Sequence, residues 1–551
     1  MKKKAIIAIV SLIVFGQGAW AQDVEWPETI GSMTLNDDNS SNKFYPVSSV
    51  DNLNDLAVYV NEGNTCEGLT FKVTDNITFS QSESDKFVPI GIGEELGKVE
   101  KPFMGIFDGN NKTISNITYI DEPGVGVGLF GYISGALIQN VKMDHCSFTG
   151  NFDVGAIAGH ASGVHDDRTH GIFNCVVGSN VTVNAVSVKI ESEEEPVTYV
   201  DVPGTFAGGI IGDCANTTLS GCVSAATVTG DDCVGGIAGR LISSRKDEKE
   251  RGVIENCLFM GRVTGTTNKG DIVGARGAIE GEDGTEGLLQ LALLDNDTEA
   301  VIDNATWLSC YNGAEGVDVT LSGRTLYRDG GWNTICLPFN VSAEQMDATT
   351  HPLHGATIKQ LDTTTPADFG VDGNHKSGIE NGCLYLNFAE ATSIVAGVPY
   401  IIKWGKASDH PDTHIIDPKF EGVTINANAS TEVSFTGGGS FVGTYNAKRF
   451  TTADLGQYLI MGGANTLYYP GTDAGVGACR AYFYVPGINN NIKMFNLNFS
   501  DYSTTTKITN TNLADQTYED GEWWTLSGMK LNGKPTEKGV YLFNGKKVVI
   551  Q

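Results

Sequence analysis

The stretch GHASGVHDDRTHG, residues 159 to 171, gathers His160, His165, Asp166, Asp167, Arg168 and His170 into one loop. Imidazoles and carboxylates at that density are the donor set of a metal centre or an acid–base pair. Their spacing follows no fixed ligand motif, so the competing reading is a solvated insertion. GVGLFG (126 to 131) satisfies G-x-G-x-x-G, but a dinucleotide site needs a helix after it, and YISGALIQNV is not one. Asp231-Asp232 and the ESEEEP turn offer carboxylates to calcium, and Trp523-Trp524 and Tyr468-Tyr469 offer rings to sugars. In each ring pair, strand alternation sends one member to the core. Neither a G-x-S-x-G elbow nor a P-loop appears. The sequence therefore assigns no catalytic, cofactor-binding or metal-binding residue, and it implies no cofactor.

The elements that would carry these residues are written as a repeat. Related hexapeptides, GVGLFG, VGAIAG, AGGIIG and VGGIAG, end at Gly131, Gly159, Gly212 and Gly239, with separations of 28, 53 and 27 residues. The middle interval is nearly two units and holds an acidic insertion, VSVKIESEEEPVTYVDV (186 to 202). Second marks follow each hexapeptide: ALIQNV, GIFNCV, TLSGCV and VIENCL. Two marks per unit imply at least two strands per coil of a solenoid, in which stacked neighbours share one core. Glycines at its corners would supply positive φ or close backbone approach. Helical repeats are disfavoured, because an interior glycine costs a helix about 1 kcal/mol.

The expected fold is all-β: a right-handed parallel β-helix with an N-terminal capping helix, then a β-sandwich-like domain and a short C-terminal β-hairpin segment. The cap is SVDNLNDLAVYVNEG, whose Leu53, Leu56, Ala57 and Val60 recur at helical spacing between Ser49 and Gly63. Ile157, Ile210 and Ile237 should point inward. Cys175, Cys222 and Cys257 occupy one place in successive second marks, where the first unit has Val141. Stacked side chains leave in parallel directions, so a ladder of buried thiols is expected rather than disulfides.

The hexapeptides resemble the GLUG motif, and FDGNNKTISNITYI leading into VGLFG is similar to GLUG-containing β-helices of surface and secreted proteins from Bacteroides-type bacteria. The resemblance spans about 50 to 277. The motif also accompanies bacterial immunoglobulin A peptidases, but their metal-binding HExxH is absent from this chain. The tail WWTLSGMKLNGKPTEKGVYLFNGKKVVIQ, with Asn544-Gly545 at a hairpin turn, resembles a shortened sorting domain of the type IX secretion route.

The expected organisation follows: 1–21 a signal peptide, with Ala19, Trp20 and Ala21 as cleavage pattern; 22–48 an N-terminal segment; 49–279 the repeat solenoid; 280–316 a linker; 317–500 the sandwich; 501–522 a second linker; and 523–551 the sorting-like segment. Without Lys2, Lys3 and Lys4, 34 basic side chains face 66 acidic ones. Such a field repels phosphate backbones, so nucleic acid is not an expected partner. No apolar run reaches membrane-spanning length. The functional expectation is a non-enzymatic, adhesin-like protein, secreted or at the cell surface, binding glycans or host and matrix proteins. The alternative is a carbohydrate-active β-helix enzyme, a polysaccharide lyase or glycoside hydrolase.

Overall fold

A computed structural model describes residues 26–37, 43–93, 100–163, 169–191, 199–243, 251–278, 286–300, 302–405, 413–462, 467–472, 474–486 and 494–498, with short strands at 508–509, 523–525, 530–531, 539–543 and 546–550. The expected leader and the central residues of the ESEEEP turn lie outside them, as do His165, Asp166, Asp167 and Arg168.

Each full coil of the solenoid has five short strands, where the two marks implied at least two. In one coil they are Leu137–Gln139, Lys142–Asp144, Ser147–Gly150, Phe152–Gly155 and Ala158–Ser162. Equivalent strands of successive coils pair in parallel and in register, so the solenoid has five faces, numbered here first to fifth in that order. On the second and third faces inward and outward residues largely alternate, and Ile157, Ile210 and Ile237 are fully buried as expected. The 53-residue interval is one coil and not two, because Ala158 pairs directly with Ile211. Its extra length is an antiparallel hairpin, Val188–Glu191 with Tyr199–Val202, plus the excursion between Ser162 and Gly171. A fifth unit, GDIVG, also escaped the hexapeptide pattern: Gly235 pairs with Gly270, and Ala238 with Val273.

The glycines act through close approach more than through positive φ. At the corner entering the fourth face's core strand, the left-handed position is held by Gly126 (φ +74°), Asp153 (+54°), Phe206 (+59°), Cys233 (+53°) and Asn268 (+42°) in successive coils. A Cβ on Gly159, Gly212, Gly239 or Gly274 would strike the backbone of that corner one coil back. Asparagine serves a second corner, between the first and second faces, where Asn140, Asn174 and Asn256 are left-handed beside Gly221; its short polar side chain tolerates that region.

The first face runs furthest. It begins with Tyr45–Val47, ahead of the cap helix Val50–Asn61, and continues through Thr70–Val73 and Ile106–Asp108. Ser49 caps the helix by accepting from the Asn52 amide, and Leu53, Leu56, Ala57 and Val60 are buried. At the far end the segment read as a linker, 280–316, carries the strand Leu288–Leu294, which pairs in parallel with Val253–Glu255 and then with Val317–Ser322. Its leucines 289, 291 and 293 alternate into the core, a pattern the surrounding acidic residues obscured. A short helix, Asn304–Cys310, follows, capped by Asp303.

Antiparallel sheets succeed the solenoid. Thr357–Leu361 and Asn333–Cys336 flank Pro399–Lys403, and Gly439–Thr444 and Tyr458–Met461 flank Arg480–Tyr484. Arg480 forks onto Asp295 just beyond the strand of leucines, at 2.9 and 3.1 Å. The fully buried Arg324 donates to the carbonyls of Thr334, Ala478 and Cys479. Through Leu361, with 389–434 and 440–485, this forms one compact unit. A second unit gathers 362–388, 435–439 and 486–551. In it Cys383–Asn387 pairs in parallel with Met494–Asn498, and the tail forms four antiparallel strands, one more than the sequence suggested. Phe543 faces Lys546 across the two-residue Asn544-Gly545 connection. Among the described residues no helix is long and apolar enough to cross a membrane.

Candidate functional site

The residue following each repeat's final glycine stands on the fifth face and points outward. In-register pairing stacks these residues as Tyr132, His160, Asp213, Arg240 and Ala275. The left-handed corner beside them contributes Asp153, where Phe152 and Asp153 are both partly exposed before Val154 turns inward. Two adjacent columns thereby build one charged cluster from three coils. His160 Nδ1 lies 3.3 Å from Asp153 Oδ2 and 3.4 Å from Asp213 Oδ2. Arg240 forks onto Asp213, Nε to Oδ1 at 2.9 Å and Nη2 to Oδ2 at 2.6 Å. Tyr132 stacks on the His160 ring with centroids 4.5 Å apart and planes 7° from parallel. The Arg240 guanidinium lies 4.0 Å from the centre of the Phe206 ring, within cation–π range.

Charges alternate through this cluster, and that decides its protonation. Burial alone would lower the His160 pKa, but the two flanking carboxylates raise it to about 10. Burial pushes the Asp153 carboxyl up. At Asp213 the same burial is outweighed by the bonds from Arg240 and His160, which hold the carboxyl below its usual value. With both acids ionised and both bases protonated, the quartet is neutral. As a hydrolase pair it is poorly built: Asp213 is 2% exposed and occupied by a guanidinium fork, so it has no path to a sugar.

Of the loop singled out in the sequence, His160 belongs to a strand, and its partners are Asp153 of its own coil and Tyr132 and Asp213 of the coils on either side. His170 Nδ1 lies 2.9 Å from Thr169 Oγ1. Asp231 accepts from the Gly204 amide at 2.8 Å, and Asp232 accepts from Thr267 Oγ1 at 2.6 Å and Asn268 Nδ2 at 2.8 Å, so both carboxylates tie coils together. The cysteine ladder is as expected: Cys175, Cys222 and Cys257 are free thiols with no exposed surface. Cys222 Sγ donates to the Ile172 carbonyl at 3.4 Å, and burial pushes the thiols of Cys175 and Cys257 up.

A second constellation lies on the antiparallel sheet of Arg480–Tyr484. Ala481 and Phe483 point into the core, with Phe483 stacked on Phe441 at 4.5 Å. Tyr482 and Tyr484 therefore share the opposite face, where Tyr458 pairs directly with Tyr484 on the next strand and Tyr458 and Tyr482 pack against the buried Phe450. Ring centroids are 5.2 Å apart for Tyr458–Tyr484 and 5.6 Å for Tyr458–Tyr482. The Lys448 ammonium stands 4.7 Å from the Tyr458 centroid and 5.8 Å from that of Tyr482, with Asp454 at 3.8 Å. Burial raises Tyr482 to about 12, so its phenol is a neutral donor. Of the adjacent pair Tyr468-Tyr469, Tyr468 is exposed and Tyr469 is partly buried, so neither is a full core residue. The side chains of Trp523 and Trp524 lie outside the described residues.

This architecture defines the chain as a parallel β-solenoid protein with antiparallel sheets after the solenoid. No protein-family model matches it. A stretch of 122 residues is 32% identical to halomucin of Haloquadratum walsbyi, covering 21% of this chain. The match spans only 1% of halomucin's length. The crystal structure of "a putative immunoglobulin A1 protease from Bacteroides ovatus" aligns over 46% of this chain and 66% of that one, at 18% identity and a TM-score of 0.31.

Proposed function

We propose that this chain is a non-enzymatic bacterial display protein, secreted or held at the cell surface, that binds glycans through the tyrosine face of its antiparallel sheet. One observation carries the reading: Tyr458, Tyr482 and Tyr484 hold adjoining, partly exposed rings on one strand-borne face, where Tyr458 and Tyr482 pack against Phe450 and Lys448 and Asp454 stand beside them. Aromatic faces take up the apolar C–H faces of sugars, while phenol, ammonium and carboxylate groups bond their hydroxyls. The solenoid would then act as a rigid spacer carrying that surface, in keeping with the resemblance of its hexapeptides to the GLUG motif. The tail's resemblance to a sorting domain supports export.

A glycan array probed with the full chain tests this. Binding of at least one glycan class is expected, reduced roughly tenfold by Tyr482→Ala or Tyr484→Ala with the fold intact. Binding that both substitutions leave unchanged would remove the tyrosine face from the account. Turnover of a polysaccharide, abolished by Asp166→Asn with Asp167→Asn, would replace the reading with the enzyme alternative.

A further inference from the structure

We propose that Asp153, His160 and Asp213 form a binding site for a divalent transition-metal cation of the zinc class on the outside of the solenoid. Their three donor atoms, two carboxylate oxygens and one imidazole nitrogen, all lie within 4.8 Å of one another. The spacing points to a cation more than to a hydrogen bond. A charge-assisted N–H···O contact closes to about 2.7–2.9 Å, and one proton bonds one acceptor well. Here Nδ1 stands off both oxygens, at 3.3 and 3.4 Å. Donors around a tetrahedral zinc, each about 2.0–2.1 Å from the ion, are separated by about 3.3–3.4 Å. The imidazole and the small donor number disfavour calcium, which takes about 6–8 oxygen ligands.

The surroundings are those of an oriented site. The Arg240 fork fixes the Asp213 carboxylate and leaves lone pairs for a second partner. The Tyr132 stack fixes the imidazole plane, and the backbone corner fixes Asp153; such outer supports normally align metal ligands. Asp153 and His160 are 14% and 18% exposed, which gives the ion a way in and a solvent-side position for water. On binding, the Nδ1 proton leaves to solvent and the dication takes its place between the carboxylates. The cluster's charge then rises from zero to one positive.

The test uses the metal-stripped full chain. Zn²⁺ titrated in a calorimeter should bind at one site per chain and raise the melting temperature. Asp153→Asn and His160→Gln, each checked for native circular dichroism, should weaken that affinity at least tenfold. Co²⁺ added to the unsubstituted chain gives a readout that needs no variant: visible bands of a tetrahedral nitrogen–oxygen site are expected. No binding, binding that both variants retain, or intense cobalt–thiolate absorption from the cysteines would each overturn the proposal.

Discussion

The charged cluster and the tyrosine face each bring together residues distant in sequence, by opposite routes. In the solenoid, Tyr132, His160, Asp213 and Arg240 meet because each occupies the same place in its own coil, and parallel register does the rest. In the antiparallel sheet, Tyr482 and Tyr484 meet because they are two apart in one strand, and Tyr458 joins them across a single pairing. A repeat turns equal spacing along the chain into adjacency. An antiparallel sheet turns alternation into a shared face. The first arrangement depends on every coil keeping its register, whereas the second depends only on two strands.

That difference sets the size of the expected effects. The largest should come from Gly236→Val, because a Cβ there would strike the Asp271 carbonyl of the next coil and the Phe259 ring. Overpacking of this kind costs about 3 kcal/mol, and the column glycines leave no room to relax without shifting register. A urea melt should show the loss. Tyr484→Ala in the other region should cost the melt far less, its ring being only partly buried. Equal effects would mean that the solenoid tolerates local slippage and that the contrast is false.

A smaller effect should follow from the charged cluster. His160 is held protonated by Asp153 and Asp213, so its contribution to stability is complete below the unfolded value of 6.5 and is lost as the pH rises through about 10. In metal-stripped protein, His160→Asn should destabilise by roughly 2 kcal/mol near pH 6, below the cost of breaking a fully buried ion pair because His160 and Asp153 keep some contact with solvent. The gap between the two melting curves should narrow steadily toward pH 10. A gap independent of pH would show that the ring matters only through its stack on Tyr132.

These two constellations were legible to different degrees. The solenoid, its cap helix and its buried thiols could be read from periodicity, because apolar alternation and glycine spacing are local signals. The charged cluster was also written in the repeat, as the residues after Gly159, Gly212 and Gly239, but it emerges only when the coils are aligned by their last glycine. Asp153 stays hidden even then, since the same corner holds glycine, phenylalanine, cysteine and asparagine in other coils. The tyrosine face was missed for a simpler reason. Adjacent pairs such as Tyr468-Tyr469 draw the eye, yet alternation splits them, while the Y-x-Y of Tyr482 and Tyr484 shares a face. The strand at Leu288–Leu294 was read as linker because the acidic run before it dominates the local composition.

Thiol chemistry sharpens the comparison without perturbing the fold. Cys175, Cys222 and Cys257 have no exposed surface, whereas Cys310 and Cys383 are partly exposed. A mass-resolved labelling experiment in native buffer should therefore modify Cys310 and Cys383 first and reach the ladder only in denaturant. Prompt native labelling at Cys222 would mean that the coils open locally, and the rigid-spacer role would fail.

The smallest effect on stability should come from the tail. Its four strands, from Trp523–Thr525 to Lys546–Ile550, pair with one another in a self-contained sheet. Terminal elements with their own pairing tolerate removal better than strands shared with a core. Deleting 523–551 should thus leave the unfolding free energy of the solenoid, read from a urea melt, within about 0.5 kcal/mol of the full chain, the range of substitutions away from a core. On the sorting proposal, location is what should change. The shortened chain would accumulate in the periplasm of the native host, while the full chain is removed by protease shaving of intact cells. If the shortened chain reaches the surface normally and melts earlier, the tail is a structural edge and the lysine-rich hairpin carries no address. If it stays in the periplasm with its melt unchanged, export and folding are separable functions of this chain, with the address confined to its C-terminal sheet.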